Sequence, residues 1–440
     1  MQLQNHIRNK FGKCALPGNT IQRIKQGLQP LGLQAEYSPF QVSDNLYWGQ
    51  VWIDSIKIIC EGKGITPQLA EASAYAELTE RLSAGMFYPV FEEQVRFNIP
   101  ALYGQETTRF LNFEWMKGYA NAHQNELENS LRIEDLLINE HYLSKEDIED
   151  IKNSDMCRHW VDGFSLIKQR DIKVPVKFIA YVHGSNGMAA GNTLEEAMIQ
   201  AACEVFERYA QIHTIKPEIE VPTIDKRSVG NSLIQELIQF YQNQSINVLI
   251  KDLSFGEIFP VLGVLYTNKN LRADRLEHRI LIPGASFNPD EALTRCFTEG
   301  AQGRTTLKKP RPKLDKPVVH KSIVDNYYML MRCGVSLKDI SFLERGEIRP
   351  YKEKKCKDLY SEINEIKKIC LRLDTDIFIL DHTHPVLDFP VVRIIIPGIS
   401  DFLSFLKNDT LVSKNTKPSS ALGGEEYIDI MKSFFPECGI

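Results

Sequence analysis

The chain has 440 residues, 43% of them hydrophobic and 25% charged, which is enough apolar content to bury one large core or two to three ordinary ones. Its 52 basic and 57 acidic residues leave a formal net charge of −5, so global electrostatics make no case for nucleic acid or an anionic membrane as partner. No run approaches the roughly 20 apolar residues of a spanning helix, and the nine scattered cysteines include no Cys-x-x-Cys pair, so neither a disulfide framework nor a thiolate zinc site is signalled.

In chain order, "MQLQNHIRNKFGKCALPGNT" is polar and broken by charge, unlike a secretory signal, and a cytoplasmic protein is expected. From Leu46 to Cys60, "LYWGQVWIDSIKIIC" reads as two β-rich runs with a turn near Asp54-Ser55, ending in the glycine pair of "EGKG". A helix follows, with Thr66 suited to the N-cap, Pro67 to the first helical position, and an alanine-rich run to Ala84. Residues about 105–157 read as a helical, acidic insertion with a solvated face. "VPVKFIAYVHGSNGMAAGNTLEEAMIQAACEVFERYA" reads as strand, glycine-rich loop and helix, and "HRILIPGASFNPDEALTRCFTEGAQGR" as strand, turn and helix with Asn288 as cap and Pro289 behind it. Residues 305–316, "TTLKKPRPKLDK", form a basic, proline-broken loop. "DIFILDHTHPVLDFPVVRIIIPGIS" is a further strand pair, and residues about 401–440 a short helical tail.

The strand-loop-helix order repeats. Aligning Gly64 with Gly191 also matches Thr66 with Thr193, Ala70 with Ala197, Ala74 with Ala201, Glu77 with Glu204, Glu80 with Glu207 and Arg81 with Arg208, seven identities in eighteen ungapped positions. A weaker third unit, set with Ala292 against Ala70, places Glu299 at the first glutamate position and Gln302 at the second. It is either a diverged third copy or a convergent helix.

Helical spacing puts Ala70, Ala74, Glu77 and Arg81 on one stripe with Glu80 beside it, and Ala197, Ala201, Glu204 and Arg208 do the same. The small residues predict close approach of another backbone at a helix contact, leaving partly dehydrated carboxylates that need partners. One Glu-x-x-Glu-Arg alone reads as exposed charges or an interhelical salt bridge. Two helices related by pseudo-symmetry let four glutamates converge, with Glu299 a fifth. Clustered carboxylates repel unless cations sit among them, and hard oxygen ligands favour Mg²⁺ or Ca²⁺. Mg²⁺ is usually completed by waters and substrate phosphates, which points to a nucleotide. "HGSNGMAAGNT" before a helix offers amides to phosphates, although it matches neither the P-loop nor the dinucleotide fingerprint.

Taken together, "GKGITPQLAEASAYAELTERLSAG", "SNGMAAGNTLEEAMIQAACEVFERYA", "EALTRCFTEGAQGR" and "PVVRIIIPGISDF", in this order, resemble the YcaO family of ATP-dependent peptide-backbone-modifying enzymes over nearly the whole chain. The resemblance implies one α/β domain over residues 1–440, built of pseudo-symmetric strand-loop-helix repeats with mostly antiparallel sheets, and ATP lying between Mg²⁺ ions held by helix glutamates. Residue by residue, it implies Glu77 and Glu80, Glu204 and Glu207, and Glu299 as the Mg²⁺ and phosphate-network acids. Asn192 and Glu196 match nucleotide contacts at the start of the second helix, and Arg208 and Arg295 match arginines facing the phosphates. Glu207, Arg208 and Arg295 are thereby the expected catalytic group. Lys13 and Thr20 in "GKCALPGNT" match an N-terminal lysine and hydroxyl that contact the nucleotide in one branch, linked to β-methylthiolation of a ribosomal protein. Without the resemblance, Asn192 is a loop residue, Glu196 a first-turn acid favoured by the helix dipole, Arg295 a salt-bridge partner and Lys13 a solvated lysine.

Two departures bear on the chemistry. Ala189 stands where many relatives carry a serine near the phosphates, and the sequence ends "KSFFPECGI" rather than in the Pro-x-Pro-x-Pro of azoline formers. The expected activity is Mg²⁺·ATP-dependent phosphorylation of a backbone amide oxygen in a peptide or protein substrate, giving a thioamide or related modification. The alternatives are an azoline-forming cyclodehydratase, an accessory protein presenting substrate to a partner modification enzyme, and an ATP-dependent ligase for a small molecule. A sulfur-delivery or leader-binding partner and a homodimer are expected, with no nucleic acid and no membrane.

"DHTHP" (Asp381 to Pro385) allows a two-histidine metal reading, but a structural turn is the expectation. Cys14 beside Lys13 is either an activated thiolate or, as expected, an inert loop cysteine. Cys203 and Cys296 are expected in helix packing, Cys438 carries only its terminal position, and "NFEWMKGYANAH" reads as core plus loop.

Overall fold

Local rules set the first unit. The computed structural model describes residues 3–9, 12–85, 113–136, 145–214, 220–302, 334, 336, 339–353 and 356–400. Pro17 opens helix α1 (Pro17–Leu28), which buries Ile21, Ile24 and Leu28. Strands β1 (Glu36–Ser43), β2 (Leu46–Ile53) and β3 (Ile58–Gly64) form an antiparallel meander. The turn between β2 and β3 falls at Asp54–Ile56, as the sequence indicates. Helix α2 (Pro67–Ser83) begins at Thr66, whose hydroxyl accepts from the Leu69 amide at 3.2 Å. Its Tyr75, Leu78 and Leu82 pack with α1 and the meander.

The insertion is more mixed than the helical reading. Its described part holds strand β4 (Ala120–Asn121) and helices α3 (Ile133–Leu136) and α4 (Lys145–Asn153). Phe113, Met116, Leu131, Ile133 and Leu136 are buried with Trp160, so it is built into a sheet edge rather than standing off it. This agrees with the core reading of "NFEWMKGYANAH". Residues 105–112 and 137–144, the basic loop 305–316, the tail 401–440 and Cys438 lie outside the described residues.

Next come β5 (His159–Ser165), β6 (Arg170–Pro175), helix α5 (Val176–His183) and β7 (Met188–Ala190). Here the sequence reading needs correction, because the strand ends at Pro175 and "VKFIAYVH" is helical. An eight-residue apolar run does not distinguish buried strand from buried helix by periodicity. Burial of Val176, Phe178 and Ile179 in the neighbouring core decides it, and Gly184, at φ 54°, ends the turn.

The second half contains helix α6 (Leu194–Thr214), β8 (Thr223–Ile224), α7 (Ser232–Asn243), β9 (Ile246–Asp252), β10 (Val261–Asn268), β11 (Arg279–Ala285) and α8 (Pro289–Ala301). Asn288 caps α8, accepting from the Asp290 amide. β12 (Ile348–Arg349), α9 (Leu359–Arg372), β13 (Phe378–Asp381) and β14 (Val391–Ile395) complete the described chain. One sheet runs β11-β10-β9-β8-β12, and another runs β4-β5-β13-β14-β7 with β6 beside β5. Among the described residues every strand pair is antiparallel except β8 with β12, which bears out the α/β class with mostly antiparallel sheets.

The repeat is structural as well as sequential. Thr193 caps α6 as Thr66 caps α2, accepting from the Glu196 amide at 3.1 Å. A Cβ on Gly64 would lie 2.7 Å from the Ala70 amide nitrogen, and one on Gly191 2.5 Å from the aligned nitrogen of Ala197. The third unit shares the same contact one layer lower. A Cβ on Gly62 would lie 2.3 Å from the Ala70 carbonyl oxygen, and one on Gly284 2.3 Å from that of Ala292. The alanine stripes therefore do admit a close backbone, but it belongs to the preceding strand or its loop rather than to another helix. α6 itself contacts β7 and β14 of one sheet, β11 and β10 of the other, and α9, within the largest apolar cluster among the described residues.

Candidate nucleotide and metal site

The three strand-helix units and the segment before α1 meet around a cavity of about 640 Å³, within the size range of small-molecule sites. Lys13, Thr20, Glu77, Glu80, Asn192, Glu196, Glu204, Glu207, Arg208, Arg295 and Glu299 all line it. These are the eleven residues that the sequence assigns to metal, nucleotide and phosphates.

The aligned acids carry aligned counter-charges. Arg81 pairs with Glu77 at 3.2 Å and approaches Glu80 at 3.8 Å, and Arg208 approaches Glu204 at 3.8 Å. Burial pushes the Glu80 carboxyl up to about 8 despite Arg81, with Glu204 and Glu77 adding to the rise. Burial likewise raises Glu204, opposed by Arg208 and reinforced by Glu207. Acids from α2 and α6 thus feel each other across the cavity. Arg295 on α8 donates to Gln200 Oε1 at 2.7 Å, which aims it at α6. Glu299 is ion-paired with Lys63 of β3.

The start of α6 is tied to the N-terminal segment. Thr20 donates its hydroxyl hydrogen to Asn192 Oδ1 at 2.6 Å, and Asn192 donates to Glu196 Oε1 at 3.0 Å. Glu196 also accepts from the Cys14 amide at 2.7 Å and lies 3.8 Å from Lys13 Nζ. Burial alone would raise Glu196, but Lys13, Cys14 and Asn192 outweigh it and hold the carboxyl below its ordinary range. The same arrangement settles Cys14. Burial and the Glu196 charge push its thiol up to about 12, so it is no activated thiolate. Cys203 is buried and raised to about 12 as well.

Sequence reasoning passed over several lining residues. Arg81 was visible in the repeat as the partner of Arg208. Lys63 was visible only through strand alternation between two glycines, and Arg8, Gln200 and Glu291 carried no pattern. Ala189 lines the cavity and supplies no hydroxyl there, whereas Ser185 also reaches the wall.

The donor set fits Mg²⁺ as that ion is ordinarily held, by one or two carboxylates completed by waters and phosphates. Among the described residues no three His, Cys, Asp or Glu side chains close into a ready-made metal shell. The carboxylates present are mutually repelling and partly dehydrated, a state that a divalent cation relieves. "DHTHP" is a turn, as expected. His384 Nδ1 accepts from the Val386 and Leu387 amides at 3.3 and 3.4 Å, and burial lowers His382 to about 3. No described helix is long and apolar enough to cross a membrane.

A family model described as YcaO cyclodehydratase, ATP- and Mg²⁺-binding, matches residues 61–400. An Escherichia coli (strain K12) protein, described as ribosomal protein S12 methylthiotransferase accessory factor YcaO, is 26% identical over 439 residues, covering 94% of this chain and 71% of that protein. A solved heterocyclase in complex with substrate and cofactor shares the fold at a TM-score of 0.65 and 20% identity, over 91% of this chain and 54% of that one. YcaO from Methanopyrus kandleri bound with AMPPCP and Mg²⁺ shares it at 0.54 and 19% identity, over 96% of this chain and 100% of that one. The chain spans 66% and 71% of the lengths of the two curated relatives that match it almost end to end.

Proposed function

The chain belongs to the YcaO family, described as ATP- and Mg²⁺-binding, and on that premise we propose that it activates a backbone amide of a peptide or protein substrate by phosphorylating the amide oxygen. The observation that carries this reading is the convergence of Glu77, Glu80, Glu204 and Glu207, from the two helices matched by the internal repeat, with Arg208 and Arg295 in one cavity. Glu77, Glu80, Glu204, Glu207 and Glu299 would hold Mg²⁺. Asn192, Glu196, Lys13 and Thr20 would take the nucleotide, and Arg208 and Arg295 would neutralise its phosphates.

ATP supplies a phosphate leaving group for an oxygen that otherwise departs slowly as hydroxide. The chain's own residues supply position and charge, which is most of what phosphoryl transfer asks of a protein. Gln200 orients Arg295, Glu204 steers Arg208, and the Thr20–Asn192–Glu196 chain fixes the start of α6. External sulfide as nucleophile gives a thioamide, and a substrate Cys, Ser or Thr gives an azoline. The name of the E. coli relative, an accessory factor to a methylthiotransferase, favours sulfur chemistry and a partner protein. It also supports the second reading, in which this chain presents a ribosomal-protein substrate to that partner. A cytoplasmic homodimer is part of the proposal.

Calorimetric titration with a non-hydrolysable ATP analogue and Mg²⁺, comparing the native chain with Glu207→Gln, tests the placement. Loss of binding in a folded Glu207→Gln chain supports the acidic helices as the ATP site. Equal binding in both, or none in either, moves the accessory reading ahead. Phosphate release without any peptide would favour the small-molecule ligase.

A further inference from the structure

The segment before α1 is held by buried acids of α6 and α9. The Gln4 amide donates to Glu195 Oε1 at 2.6 Å, and the Cys14 amide to Glu196 Oε2 at 2.7 Å. Asn5 reaches Asp358, the cap of α9, at 3.3 Å. Arg8 pairs with Glu362 of α9 at 2.5 Å across 354 positions of sequence. Glu195, Glu196 and Glu362 are buried, at 4%, 4% and 3% exposure. Buried carboxylates are strongly destabilising without partners, and the arm supplies partners to all three.

Arg8 has a particular place in that docking. One terminal nitrogen is committed to Glu362, and the other donates to the Gly12 carbonyl. Gly12 sits at φ 72°, and a Cβ there would lie 2.0 Å from Glu291 Oε1, so the turn lies directly against the Glu291 carboxylate of α8. The next residue is Lys13, which faces Glu196 in the cavity. We propose that Arg8 and Glu362 are positioning residues of the nucleotide site, forming a strut from α9 that pins the Gly12 turn and so sets where Lys13 stands. Each terminal nitrogen of Arg8 bonds within the protein, one to α9 and one to the turn, which is the geometry of a strut. The inference rests on the nucleotide placement proposed above.

Two measurements test it separately from that placement. Hydrogen exchange of the full-length chain without nucleotide reads the arm through peptides spanning residues 3–16. Glu362→Gln should speed exchange there by about tenfold or more, and a second variant, Arg8→Gln, should do the same. Unchanged exchange in both overturns the strut. Binding of the ATP analogue with Mg²⁺ then reads the consequence in a double-mutant cycle. Arg8→Gln should weaken binding about tenfold in the native background, a loss of the size seen when supporting partners of a site are removed. It should cost almost nothing further in Lys13→Met. A full loss in both backgrounds would make Arg8 a direct ligand contact and overturn the positioning role. The charge swap Arg8→Glu with Glu362→Arg should recover both slow exchange and affinity, which a merely destabilised chain would not do. A native chain that binds no analogue overturns the nucleotide placement and with it the positioning role, while the exchange result still decides whether the strut exists.

Discussion

The ammonium group of Lys63 on β3 pairs with the carboxylate of Glu299 on α8, joining the first and third strand-helix units at the cavity wall. Strand alternation explains how Lys63 gets there: Gly62 and Gly64 lie flush on α2, so the residue between them points the other way. Glu299→Gln should raise the Mg²⁺ concentration needed for analogue binding by about tenfold or more. Its effect on stability should be small, because a partly exposed ion pair is worth about 0–1 kcal/mol. Calorimetry at stepped Mg²⁺ checks this, and an unchanged requirement would assign Glu299 to Lys63 alone.

The close strand-helix contacts predict intolerance of a single methyl group. Gly62→Ala and Gly284→Ala each drive a Cβ against backbone, at 2.3 Å from the Ala70 and Ala292 carbonyl oxygens. Each should lose about 1–3 kcal/mol or more in denaturant unfolding. Gly32→Ala is a contrasting control, since nothing lies within 4 Å of its Cβ position and only its φ of 67° resists the change.

Equivalent caps should cost equivalent amounts. Thr66→Ala and Thr193→Ala each remove one acceptor for a first-turn amide, and each should cost about 1 kcal/mol in thermal unfolding. Only Thr193→Ala should also weaken analogue binding, because its helix start carries Glu196 and adjoins Asn192. Equal binding losses in the two variants would contradict this.

Acid should unfold the chain through buried neutral histidines. Burial, with the neighbouring Arg393 charge, lowers His183 to about 4 and His382 to about 3. An unfolded histidine titrates near 6.5. Below that pH the unfolded chain binds protons that the fold refuses, so this contribution is fully present above about pH 6.5 and is lost as pH falls toward 4. His382→Asn should flatten the fall in thermal midpoint between pH 6.5 and 4, whatever it costs at pH 7.5. An unchanged slope would mean that His382 does not titrate on unfolding.

A good part of both fold and site was legible in sequence. The two glutamate pairs, their arginines and the caps of α2 and α8 follow from helical spacing and end chemistry, and the structure places them as the repeat indicated. The helical identity of "VKFIAYVH" was not legible, since an eight-residue apolar run suits either element and burial among β5, β6 and the insertion made the choice. Arg8 and Glu362 were not legible either, being single charges 354 positions apart with no motif around them.

What the sequence by itself determined is local and repeated: where helices start, which residues share a face, and that the same strand-loop-helix unit recurs with the same acids. Those features depend on neighbours within about one or two helical turns, so short spacing carries them. The tertiary structure decided what meets across the cavity. It set the preceding strands rather than helices against the alanine stripes, Lys63 against Glu299, and the N-terminal arm over the buried acids of α6 and α9. A charge buried by packing must find its partner wherever the fold brings one, and separation along the chain does not enter that requirement.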